Sequence, residues 1–176
     1  MINMVETDWN KALTKPSSII SIAALLLGIW VILLTIINLV EGAYSPGYKV
    51  NWLSFLGISD GDISSANDTG FSTDDAIFAV FGFLLIIAAD YGMKKENSQG
   101  ALPWILGLPK SDFMNNLIRG DSINETLSSW LVIIGILFYV FWSVMNNTWV
   151  DPGVYSVMIS LVSFGFALHI SSQAEK

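Results

Sequence analysis

The chain has 176 residues, a formal charge of -7, no cysteine and one histidine. Hydrophobic residues make up 53% of it and charged residues 13%, about half the charged share of an ordinary soluble domain, which argues against a water-soluble globule and for a membrane protein. Without cysteine there can be no disulfide, thiolate-bound zinc or iron–sulfur cluster, and one imidazole cannot supply a bis-histidine haem or a three-histidine metal site.

The first apolar run is Ile19 to Val40, 22 residues without a charge. At about 1.5 Å per residue it reaches about 33 Å, enough for a hydrocarbon core of about 30 Å. It is longer than the apolar region of a cleavable signal, and Val40-Glu41-Gly42-Ala43 is a poor cleavage site, so a retained signal anchor is expected. Ser17, Ser21, Ala24 and Gly28 recur near four-residue spacing, a stripe that lets helices approach closely.

The loop from Glu41 to Asp74 is too long for a plain connector and should carry structure. Tyr44 to Ile58 is aromatic and apolar. On a helix Trp52, Phe55 and Leu56 share a face, which predicts a short interfacial helix. That face would rest on a partner subunit, on the outer leaflet or on the chain's own helices. Ser59 to Gly70 is rich in Ser, Asp, Gly and Asn. Asp60, Asp62 and Asp68 are weak metal candidates there. The segment begins like a calcium loop, but Ser65 stands where glycine is needed and Phe71 where a bidentate glutamate is needed, so a solvated acidic turn is expected. Asn67-Asp68-Thr69, Asn146-Asn147-Thr148 and Asn124-Glu125-Thr126 match a glycosylation pattern that is common by chance.

Ser72 and Asp75 form a capping box with Asp in place of Glu before the second run, Ala76 to Ala89. That run has 14 residues and spans only if Asp90 to Met93 complete its last turn. In the loop that follows, Ala101 to Leu108 is apolar, short and bracketed by Pro103 and Pro109, which suggests an interfacial dip. Ser111 or Asp112 can then cap a short helix carrying Phe113, Met114, Leu117 and Ile118 on one side, with Gly120 as its stop. Phe113 and Leu117 are candidate partner contacts, the competing expectation being that this helix lies flat on the membrane surface.

Ser122 and Glu125 make a full capping box before the third run, Leu127 to Met145. Asp151 and Pro152 supply a cap and a first-turn proline for the fourth, Val154 to Ile170. The small residues Ser156 and Ser160, with Ser163 and Ala167 beside them, form a second stripe. The expectation is an all-α integral membrane four-helix bundle forming one domain, with spans at about 19–40, 75–93, 126–145 and 153–170. Short interfacial helices are expected in both loops.

Lys11, Lys15, Lys94, Lys95, Lys110, Arg119 and Lys176 fall on one side of these spans and only Lys49 on the other. Both termini are therefore expected in the cytoplasm of a multi-pass cell-membrane protein. The outer side sets seven acids (Glu41, Asp60, Asp62, Asp68, Asp74, Asp75, Asp151) against that single lysine.

Ionisable groups inside the membrane-spanning runs and their last turns are functional candidates by default. They number two, Asp90 and His169, and both fall near the expected inner interface. A working Asp90–His169 pair is one reading. The ordinary one is that Asp90 pairs with Lys94 one turn on and His169 reaches the headgroups. No nucleophile with a base, phosphate loop or basic patch occurs, so no catalytic residue, cofactor or nucleic-acid partner is expected, and the six methionines are scattered. The expected function is a non-catalytic subunit that packs against and stabilises a larger membrane complex, by analogy an oxidase, monooxygenase or respiratory-type assembly. Its partners would be lipid and other integral membrane subunits, or further copies of itself. Alternatives are an oligomeric channel or small-solute carrier, and a single-haem or quinone-binding electron-transfer subunit with His169 as the imidazole.

Overall fold

The computed structural model describes residues 18–66, 70–97, 100–107 and 122–174. In chain order these form α1 (Ser18–Val40), β1 (Tyr48–Val50), α2 (Trp52–Phe55), β2 (Ser64–Ala66), α3 (Thr73–Asn97), α4 (Ala101–Gly107), α5 (Ile123–Asn146) and α6 (Pro152–Ala174). Four helices are long and apolar enough to cross a membrane: α1, α3, α5 and α6. The protein is thus mostly helical and multi-pass.

Helix boundaries follow the capping residues. Ser72 Oγ accepts from the Asp75 amide at 3.3 Å, and the Asp75 carboxylate accepts from the Ser72 amide at 3.2 Å, which closes the capping box at α3. Ser122 Oγ accepts from the Glu125 amide at 3.2 Å at the start of α5. Asp151 Oδ1 accepts from the amides of Gly153 and Val154 at 2.7 and 3.0 Å at the start of α6. Asn147 ends α5 with φ 47°, a left-handed conformation that asparagine tolerates better than most residues.

The chain divides into two compact units. One comprises residues up to 33 together with 77–106. Here α1 and α3 meet through glycine. A Cβ on Gly28 would lie 2.7 Å from Ile86 Cγ1 and 2.9 Å from the Gly82 carbonyl, and one on Gly82 would lie 2.9 Å from Val31 Cγ1. The core beside this contact is Leu25, Ala89, Met93 and Ala101, with Ile86, Trp104 and Ile105 packed on it. The apolar stretch after α3 is therefore the short helix α4, seated by Ala101, Trp104 and Ile105. Pro103 lies in its first turn, where no backbone N–H is required.

The other unit comprises 34–76 and 107 onwards. Helices α5 and α6 run antiparallel. Gly135 faces Leu161 and Val162, and Gly165 faces Ser128 and Val132, with an added Cβ at Gly165 only 2.7 Å from the Ser128 carbonyl. The Ser156 and Ser160 stripe is exposed, its hydroxyls donating back to the carbonyls of Pro152 and Ser156. Gly165 makes the close approach instead.

The loop after α1 corrects the all-helical expectation. β1 and β2 pair antiparallel in the register Tyr48↔Ala66, Lys49↔Ser65, Val50↔Ser64. Gly42 and Gly47, at φ 88° and 77°, turn the chain at the points where a helix would have to continue. The helical part shrinks to the four residues of α2. One turn cannot present the face expected for Trp52, Phe55 and Leu56. Trp52 is turned into the core at 2% exposure, while Phe55 and Leu56 remain exposed. The helix expected around Phe113 and Leu117 lies outside the described residues.

Candidate functional site

The most concentrated polar chemistry lies under the first loop. Asn38 sits in the last turns of α1, Lys49 at the centre of β1 and Asp75 in the first turn of α3. Along the strand Tyr48 is exposed, while Lys49 and Val50 are both buried.

Asp75 is the hub. Its Oδ2 lies 2.9 Å from Lys49 Nζ, and the two side chains are 1% and 4% exposed. The same oxygen accepts from the Ser72 hydroxyl at 3.0 Å and the Ser72 amide at 3.2 Å. Oδ1 accepts from Asn38 Nδ2 at 2.8 Å and from Trp52 Nε1 at 3.3 Å. Five donors thus converge on one carboxylate. Its negative charge also sits at a helix N-terminus, where exposed amides favour it. Lys49 Nζ donates further to the Gly70 carbonyl.

Asn38 is equally saturated. Nδ2 donates to Asp75 and to the Val50 carbonyl at 3.0 Å, while Oδ1 accepts from the amides of Val50 at 2.7 Å and Ala43 at 3.1 Å. This amide therefore uses both donors and both lone pairs. The neighbouring acid works on the loop backbone. Asp74 Oδ1 accepts from the Leu53 amide at 2.9 Å and Oδ2 from the Trp52 amide, which caps α2.

A second set of bonds ties the α5–α6 connector to the same loop. The Trp149 amide donates to the Ala43 carbonyl at 2.9 Å and the Thr148 hydroxyl to the Tyr44 carbonyl at 2.8 Å. The hydroxyls of Tyr139 and Tyr155 both donate to the Trp149 carbonyl at 2.7 Å, with the two rings stacked at 5.3 Å.

What this arrangement does is mechanical. Every amide proton and lone pair of the Asn38 side chain is engaged, and the carboxylate of Asp75 takes donors from the loop and from Asn38 on α1. The cluster offers no open ligand position and no nucleophile next to a base. It fixes the loop on the ends of α1 and α3.

The sequence candidates fall as follows. Asp90 Oδ2 is 2.6 Å from Lys94 Nζ, and Oδ1 accepts from the Ala101 amide at 2.8 Å, which anchors α4. His169 is exposed on α6, in the other compact unit. Asp60 and Asp62 are exposed, the Asp62 carbonyl accepting from Asn51 Nδ2, and Asp68 lies outside the described residues. Among the described residues no three His, Cys, Asp or Glu side chains are grouped to hold a metal. Sequence reasoning missed Asn38 entirely, counted Lys49 as a loop charge, and read Asp75 as an outer acid and the capping partner of Ser72 without its bonds to Lys49, Asn38 and Trp52. The available signal was an asparagine near the end of an apolar run, together with a single lysine among seven acids. No protein-family model, curated protein or solved structure matches the chain.

Proposed function

We propose that the protein is a non-catalytic integral membrane subunit that packs against and stabilises a larger membrane complex, with both termini in the cytoplasm. One observation carries this reading. The loop's one cation, Lys49, and its Trp52 indole and Ser72 hydroxyl are held internally on Asp75, while large apolar side chains on the same loop, among them Leu56, Ile58 and Phe71, stay exposed. A loop so firmly held, with its apolar groups turned outward, suits a contact better than a catalytic role. By analogy the complex belongs to the oxidase, monooxygenase or respiratory class.

The test is purification from the native membrane in a gentle detergent, followed by native mass spectrometry. Other integral membrane subunits should co-purify in fixed stoichiometry. A monodisperse species containing this chain alone overturns the reading. If that species also conducts a solute in liposomes containing nothing else, a channel or carrier replaces it.

A further inference from the structure

Within the unit that carries the first loop, residues 51–63 close on themselves. The Asn51 amide donates to the Ile63 carbonyl at 3.0 Å, Asn51 Nδ2 to the Asp62 carbonyl at 2.7 Å, and the Ile58 amide to the Leu53 carbonyl at 2.7 Å. The hydroxyls of Ser54 and Ser59 share a bond of 2.7 Å. At its base this segment is held by Asp74 and by buried Trp52. Its shape is thus set before anything binds, which lowers the entropy lost on docking.

Its outer side chains alternate two chemistries. Phe55, Leu56, Ile58 and Ile63 are exposed, the last two at 67% and 48%. Asp60 and Asp62 lie between Ile58 and Ile63 and are exposed as well. Three occupants can be weighed against this pattern. Lipid acyl chains would have to take in two carboxylates with the isoleucines, and carboxylates are costly in hydrocarbon. A second copy of the same segment would place acid against acid. The chain's own cations do not cover it from this unit. Among the described residues of 34–76 and 122–174 the sole lysine or arginine is Lys49, which is buried on Asp75.

We propose that residues 51–63 form a docking epitope for the extramembrane surface of a protein partner, one that sets lysine or arginine side chains beside an apolar patch. This rests on the subunit reading above and specifies the chemistry of its contact. The apolar residues supply contact area, and Asp60 and Asp62 select the partner and its register.

The experiment places a photo-reactive benzophenone side chain at Ile58, and separately at Ile63, in the full chain in its native membrane. Crosslinked peptides are identified by mass spectrometry. The expected product is an extramembrane peptide of another subunit that contains lysine or arginine. The Asp60→Lys/Asp62→Lys double variant should lower the yield about tenfold. Changing the partner's crosslinked basic residue to glutamate should restore it. Both aspartates are exposed loop residues, and co-purification of the variant with the complex checks that it still folds. Crosslinks to lipid, to a second copy of this chain, to a peptide without cations or to nothing overturn the proposal, as does a yield unmoved by charge reversal. If the chain co-purifies with a complex and these outcomes are found, only the epitope fails. If no complex survives purification, the subunit reading fails with it.

Discussion

Lys49 and Asp75 hold each other at 2.9 Å with almost no exposure to solvent, so the loop's one cation is spent on an acid 26 residues further along the chain. A buried pair of this kind is weak evidence for net stability, because both charges lose their hydration. Breaking it is another matter, since the surviving charge stays buried without a partner. Asp75→Ala should cost about 3–5 kcal/mol, read from denaturant unfolding in detergent. Lys49→Met/Asp75→Leu together should cost far less than the two single changes added. A cost below about 1 kcal/mol for Asp75→Ala would show that the pair is not formed.

Asn38→Leu removes four hydrogen bonds and leaves the amides of Ala43 and Val50 without their acceptor. Each buried unsatisfied group costs about 1–3 kcal/mol. The loop should then open, and limited proteolysis between residues 41 and 72 should accelerate. An unchanged digestion rate would refute the role assigned to Asn38.

Gly82→Val places branched carbons where Val31 and Ile32 already stand, since even a single Cβ would come within 3.0 Å of both. Overpacking of this kind costs about 1–3 kcal/mol. A lowered melting temperature is expected in a thermal-shift assay. Gly107→Ala is the control, because among the described residues no atom lies within 4 Å of an added Cβ there.

Tyr139 and Tyr155 donate to one carbonyl, so each backs up the other. Tyr139→Phe or Tyr155→Phe alone should cost about 1 kcal/mol or less, while the double variant should exceed the sum because Trp149 loses both donors. Strictly additive denaturant midpoints would contradict this.

The absence of cysteine allows single cysteines to report sidedness with a membrane-impermeant thiol reagent. Asp60→Cys should label from outside intact cells and Lys95→Cys only after permeabilisation. The reverse pattern would invert the topology expected from the lysine distribution.

The four apolar helices, and the starts of α3, α5 and α6, were legible because they depend on local properties. Run length, hydrophobicity, and a serine or aspartate three residues before its amide partner are all visible in sequence, as at Ser72, Ser122 and Asp151. The anchor was not legible in the same way. Asn38 and Asp75 are 37 residues apart, and nothing local marks them as partners. The misplacement of Trp52 has another cause. A 3.6-residue period was applied to a segment that holds only one helical turn, and in one turn the caps and strands around it decide which side chain goes in. The contacts at Gly82, Gly135 and Gly165 were missed because a single glycine carries no stripe.

Lys49 is also the only lysine or arginine between residues 41 and 72, and so the only bond in that stretch that trypsin can cut. With its ammonium sealed on Asp75, the folded loop hides its one recognition point. Trypsin is therefore a clock for this loop, built into the native chain. Cleavage after Lys49 can proceed only as often as the anchor opens, and its rate reads the stability of the loop without any label or substitution.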